Sequence, residues 1–283
     1  MKRDARPPFH VLGLALAALV CWAGRCGDPQ LQWIPVWSDE FEGPAGQLPS
    51  PDRWRFDIGT DWGNAQLEYD TNRPQNVSLD GNGNLAIVAR KESFQGQDYT
   101  SGRINTGGLF EQDRGRFEAR IRLPAGQGIW PAFWLLGSDF ESVGWPACGE
   151  IDIMEYRGQD PDIIHGTLHG PGYSGGGGLT GRFELEGGTF NEDFHIFALE
   201  WSAHQITWLV DGERFQTMTP DSLPSGTAWV FDHPFFIILN VAVGGRFVGS
   251  PDASTQFPQT MLVDWVRVFK RKRAEIASAR CTA

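Results

Sequence analysis

From Leu31 onward the chain alternates short apolar runs with turn residues. LAIVAR (85–90) follows DGNG, a strong turn signal. FEARIRL (117–123) puts Phe117, Ala119, Ile121 and Leu123 on one face and Glu118, Arg120 and Arg122 on the other, the period of a half-buried strand. QITWLVDGERFQT (205–217) predicts a hairpin turned at Asp211-Gly212. FFIILNVAVGG (235–245) is apolar on both faces and predicts a central strand, and MLVDWVRVFKR (261–271) alternates again. No stretch carries a long amphipathic helical period, and none repeats. SGGGG (174–178) predicts a surface loop near a rim. Many strands of similar length joined by turns predict an all-β sandwich of two antiparallel sheets packed face to face.

Composition agrees with this and narrows the partners. The 283 residues are 41% hydrophobic, with 35 glycines, 18 prolines and 12 tryptophans. That is enough for one large β core, and glycine and tryptophan enrichment tilts the chain towards β. A formal charge of −11 argues against nucleic acid or an anionic polymer, because like charges repel within a Debye length. A neutral substrate fits better. At the N-terminus Lys2, Arg3 and Arg6 precede an apolar run, Val11 to Ala23, too short and wrongly flanked for a spanning helix. Residues 1–26 therefore read as an export segment with small residues Ala23 and Gly24 near the cut. An uncleaved or lipid-modified anchor at Cys21 or Cys26 is the alternative, although neither cysteine sits in a good lipobox. The sandwich domain is expected over 27–275 and a short tail over 276–283, in a secreted monomer. Four cysteines are too few for a disulfide framework. Cys148 reads as a small buried thiol, with a bridge to Cys281 left open. No CxxC or histidine pair has zinc spacing, and the glycines around His165 and His169 argue against a helix there.

GEIDIMEY (149–156) holds Glu150, Asp152 and Glu155 in what reads as a buried strand, where ionised side chains are expensive without a task. Side chains alternate along a strand, so Glu150 and Asp152 share a face while Glu155 should point away. A β-bulge at Met154 would reset the parity and turn all three to one side. The Cα atoms of Glu150 and Glu155 would then lie roughly 13 Å apart. Long side chains leaning together could close the carboxyl gap to the approximately 5–5.5 Å of a retaining glycosidase pair. Crowded carboxylates also share protons, which keeps an acid protonated at neutral pH. The same spacing suits a metal site or a solvated acidic edge.

GEIDIMEY resembles the E-[ILV]-D-x-x-E signature of glycoside hydrolase family 16, in particular its laminarinase-like branch. The resemblance continues through VWSDEFEG (36–43), WGNAQLEY (62–69), SGRINTGG (101–108), GIWPAFWLLG (128–137), FHIFALEW (194–201), PFFIILNVAVGG (234–245) and VDWVRVF (263–269). It implies a β-jelly-roll sandwich with a concave cleft and retaining hydrolysis of a β-linked polysaccharide. On that reading Glu150 is the nucleophile, Asp152 its electrostatic helper and Glu155 the acid/base. The inserted Met154 separates the chain from the family's lichenases, which carry a shorter ExDxE. The blocks around Trp62 and Trp130 look most like those of endo-β-1,3-glucanases, so β-1,3-glucan is the expected partner. Agar, mixed-linkage glucan and transglycosylation are the alternatives within the fold. A non-catalytic glucan-binding protein is the alternative outside it, disfavoured because both glutamates are present.

A glucan offers apolar ring faces and hydroxyl edges, so its cleft needs flat aromatics and planar polar groups. Trp130 and Trp134 are four apart, on one face of a strand, and suit stacking, although each also suits a core position. Asn64 and Arg103 resemble the family's hydrogen-bonding residues. Tyr69 and Trp145 are lesser candidates, and Trp145 could stack at the cleft floor. His169 aligns with a histidine on the leaving-group side that could bond Glu155 or a sugar hydroxyl, whereas His165 reads as structural. The resemblance also implies a structural Ca²⁺ on the far sheet, at Asp264 with Gly83 and Glu42; oxygen ligands suit such a hard cation. No cofactor is expected for the chemistry itself.

Overall fold

A computed structural model of the chain describes residues 31–273. The expected export segment 1–26 with Cys21 and Cys26, and the tail 276–283 with Cys281, lie outside the described residues. The unit considered below is Gln32–Lys272. In chain order its strands are β1 (Leu31–Asp39), β2 (Arg55–Phe56), β3 (Glu68–Asp70) and β4 (Val77–Leu79). Next come β5 (Leu85–Phe94), β6 (Gln97–Ser101), β7 (Arg103–Asn105) and β8 (Gly115–Arg122). β9 (Ile129–Gly137) leads through a one-turn helix α1 (Phe140–Val143) to β10 (Glu150–Tyr156), β11 (Ile163–His169) and β12 (Leu179–Glu184). β13 (His195–Ser202), β14 (Gln205–Val210), β15 (Glu213–Met218), β16 (Phe235–Val243) and β17 (Gln259–Arg273) follow. Each run read from the sequence as a strand is one. Besides α1, the helical turns among the described residues are two short 3-10 turns, Gly175–Gly177 and Pro220–Ser222. The first lies within the predicted SGGGG loop.

The strands form two sheets, the jelly-roll sandwich expected. One runs β15-β14-β13-β8-β17-β5-β6-β3, with β1 on β17 and β4 on β5; the other runs β12-β11-β10-β9-β16-β7-β2. Apart from β1 on β17, pairing is antiparallel except at one place, where short β3 lies parallel to β6. The alternation of β8 explains how the layers meet. Phe117, Ala119 and Ile121 are wholly buried, in one cluster with Phe133, Leu135, Ile151, Ile237 and Leu239 of the smaller sheet. Removing such side chains from water is the main favourable term in folding. On the other face Arg116 pairs with Glu118 at 2.6 Å and Glu200 at 2.8 Å, so the polar half of the pattern is also satisfied.

β16 is apolar on both faces for two different reasons. Ile237, Leu239 and Val241 face the core between the sheets. Ile238 and Ala242 belong instead to small clusters with Trp134 and Trp130, on the side of the sheet that carries the cleft. Cys148 is a buried free thiol, and burial pushes it up to about 11. It is therefore an inert packing group at neutral pH.

Candidate active site

The parity problem on β10 is solved by a bulge. β10 places Glu150, Asp152 and Glu155 opposite His169, Thr167 and His165 of β11. Steps of two on β11 thus face steps of two and then three on β10. Ile153 and Met154 together oppose Gly166, and both are buried. The register against β9 shifts at the same place, between Asp152 and Met154. All three carboxylates consequently line one cleft of about 1250 Å³ on the smaller sheet.

Their surroundings differ in ways that matter for proton transfer. Glu150 accepts the Trp145 indole N–H at 3.1 Å, and His169 Nε2 lies 3.6 Å from its other oxygen. Glu155 accepts the Trp130 indole N–H at 3.1 Å and the Thr167 hydroxyl at 3.4 Å. Asp152 is only 3% exposed, and its Oδ2 lies 3.2 Å from His169 Nε2. Burial, and for both glutamates the Asp152 charge as well, pushes the three carboxyls up to about 8. At neutral pH the cluster therefore retains protons, as a general acid requires. Opposing this at Glu150 are the positive fields of His169 and Arg103.

The register places the remaining walls in rows. Asp152 lies in line with Trp134, Ile238, Asn105 and Arg55, and Glu155 with Ala132, Asn240 and Arg103. Arg103 is held by Asp57 at 2.8 Å, and its guanidinium sits 4.9 Å from the ring centres of both Trp62 and Trp134. Asp57 also accepts from the Asn105 amide at 2.8 Å, and the Trp134 N–H donates to Asn240 at 2.8 Å. A cation within reach of two indoles and anchored by a carboxylate leaves a rigid floor of ring faces and planar donors. Asn64 stands on the rim in a turn with φ +52°, and its carbonyl accepts from Arg246 N–H at 2.8 Å.

Of the residues singled out from sequence, Asn64, Arg103, Trp130, Trp134 and Trp145 line the cleft with the three acids. His169 needs correction. Its ring faces Asp152 and Glu150 rather than Glu155, because it pairs with Glu150 across the ladder. Tyr69 packs edge-on to Phe94 and is not among the cleft walls. His165 is buried, and burial with Arg182 and Arg157 pushes it down to about 4, a neutral structural ring. Gly83 and Glu42 are neighbours, and Asp264 sits at a bulge one residue past Val263, which pairs with Leu85. One Asp264 oxygen is taken by Arg120 at 2.6 Å. Sequence reasoning passes over Asp57, Asn105 and Asn240, and uses Trp62 only to mark its block. Asn240 has a readable signal, a single amide inside an apolar strand.

Behind Trp62 lies a buried acid pair. The Trp62 N–H donates to Asp70 at 2.8 Å, and Glu68 accepts the Val243 N–H at 2.8 Å. Both acids are almost fully buried; burial pushes Glu68 up to about 7, and burial with the Glu68 charge raises Asp70 well above its ordinary value. A carboxyl raised on folding is harmless while protonated and destabilises once it ionises. The penalty from Glu68 thus grows from about pH 4.5 and is complete above about pH 7, near 3 kcal/mol. Glu68→Gln, which retains the acceptor, is expected to flatten the fall in melting temperature across that window. Parallel melting curves for variant and wild type would assign the pH dependence to other groups.

Comparison with known proteins follows the same residues. Residues 60–267 match the family described as Glycosyl hydrolases family 16. A beta-glucanase of Rhodothermus marinus is 40% identical over 279 residues, covering 95% of this chain and 96% of that protein. The laminarinase catalytic domain of Thermotoga maritima MSB8 superposes with a TM-score of 0.79 at 49% identity, over 84% of this chain and 98% of its own. The endo-beta-1,3-glucanase of Pyrococcus furiosus gives 0.81 at 47% identity, over 86% and 96%. The bulged acidic strand, most of the sandwich and most of the cleft walls fall within residues 60–267, and the chain belongs to glycosyl hydrolases family 16.

Proposed function

We propose that the protein is an exported endo-1,3-β-glucanase acting by double displacement. The observation that carries this reading is the bulged β10 strand, which turns Glu150, Asp152 and Glu155 into one cleft walled by indoles and planar donors. The Glu150 carboxylate attacks the anomeric carbon while Glu155 donates its proton to the departing glycosidic oxygen. The glycosyl–Glu150 ester is then cleaved by water, whose proton returns to Glu155, and the configuration is retained. Asp152 supplies the like charge that keeps protons in the cluster. Arg103, fixed by Asp57, and the faces of Trp62 and Trp134 hold the sugar rings. The names of the relatives favour β-1,3-linked glucan.

The test is reducing-end release from laminarin, mixed-linkage β-glucan and agarose, comparing wild type with Glu150→Gln. Laminarin cleavage that is lost in the variant supports both substrate and mechanism. Activity on agarose alone would keep the mechanism and overturn the substrate. Binding of laminarin without cleavage would point to a glucan-binding protein or a transglycosylase.

Calcium belongs to this proposal as a structural ion. The candidate donors are oxygens, which suits a hard cation: Gly83 and Glu42 lie on neighbouring loops, and Asp264, at the β17 bulge, has one oxygen not engaged by Arg120. Chelation is expected to lower the melting temperature by several degrees while kcat below the melt is unchanged. Asp264→Ala should remove the response to chelator. An unchanged wild-type melt would exclude a bound ion there.

A further inference from the structure

The bulge that aligns the carboxylates has a clamp on its hidden side. Trp208 lies on β14 of the larger sheet and is wholly buried. Its indole N–H crosses the space between the layers and donates to the backbone carbonyl of Asp152 at 2.7 Å. Asp152 is the last residue of β10 in regular register before the bulge. The path of the indole runs over Gly166, the single β11 residue that faces Ile153 and Met154. A Cβ placed on Gly166 would come within 2.5 Å of Trp208 Cδ1 and 2.8 Å of Nε1. Gly166 is paired in an ordinary antiparallel ladder with Gly181, so its backbone has no need of glycine. Space for the indole is what requires it.

We infer that Trp208 is a positioning residue for the reaction: with Gly166 it locks the β10 bulge and so sets Glu155 on the same side as Glu150. This rests on the reading that Glu150 and Glu155 are the catalytic pair. The physical reason is that a bulge breaks the local ladder, leaving backbone groups that the neighbouring strands do not fix. A buried hydrogen bond to the carbonyl at its edge removes that freedom, and a misplacement of the carboxylates by about 1 Å is enough to cost about 100-fold in rate.

The test compares Trp208→Phe, Gly166→Ala and the double variant. Trp208→Phe retains an aromatic core residue and loses the donor. Gly166→Ala keeps every core side chain and forces the indole off the carbonyl. Each is expected to lower kcat on a linear β-1,3-gluco-oligosaccharide by about 100-fold, with KM within about twofold of wild type. The basic limb of kcat/KM against pH should move to lower pH as the carboxylates separate. Because both substitutions break one bond, the double variant should fall no further than the worse single one. A purely structural Trp208 would lower the melting temperature and leave kcat per folded molecule and the pH profile untouched; either that result or multiplying losses overturns the inference. Failure of the underlying reading looks different: Glu150→Gln and Glu155→Gln would then stay active.

Discussion

Glu150→Gln is expected to lower turnover of β-1,3-glucan by on the order of 10⁵-fold, a loss of the size seen when a covalent nucleophile is removed. The amide keeps the shape of the side chain and can still accept from the Trp145 N–H, so the cleft and its affinity for sugar should persist. On the proposed mechanism, what disappears is the negative oxygen that would form the ester with the anomeric carbon. Reducing-end assays beside a calorimetric titration with a laminarin oligosaccharide check the separation of binding from chemistry. Residual activity within tenfold of wild type would place the nucleophile elsewhere.

Glu155→Gln should behave differently, and the difference identifies its role. Loss of the proton donor is expected to slow glucan cleavage by about 10³- to 10⁴-fold. The loss should shrink greatly with an aryl β-glycoside whose phenol leaves without protonation. For that substrate the second step becomes limiting, because no base remains to activate water. A small anion such as azide, which needs no base, should then restore turnover and yield a β-glycosyl azide. Equal loss on glucan and on the activated glycoside, without rescue, would remove Glu155 from the acid/base role. The Trp130 and Thr167 donors that now face its carboxylate can also bond an amide oxygen, so the geometry is retained.

Much of the fold and part of the site are legible in the chain itself. The alternation in FEARIRL sorts inward from outward residues because a strand's period of two is a local property, whereas in MLVDWVRVFKR a bulge between Val263 and Trp265 shifts the inward set from Met261 and Val263 to Val266 and Val268. The three acids of GEIDIMEY announce both a site and a bulge, since an ionised glutamate on the core face would be untenable. Other parts are not legible. The partner of His169 is set by the β10–β11 register, which no local pattern contains, so the sequence points it at the wrong carboxylate. Asp57 and Asn105 are 48 residues apart in sequence yet bonded, and Asp57 is likewise the anchor of Arg103. Tyr69 shares a motif with true cleft residues but packs against Phe94.

The sequence by itself determined the class of fold, the chemistry available and the strand that carries it, because periodicity, turn residues and the cost of burying charge act over a few neighbouring positions. The tertiary structure decided which groups stand next to that chemistry. Trp208 reaches Asp152 from the opposite sheet, 56 residues away, and Arg103 lies within reach of Trp62 and Trp134 of different elements. Such meetings depend on the register and stacking of whole sheets, a property of how the strands pair rather than of any stretch of chain.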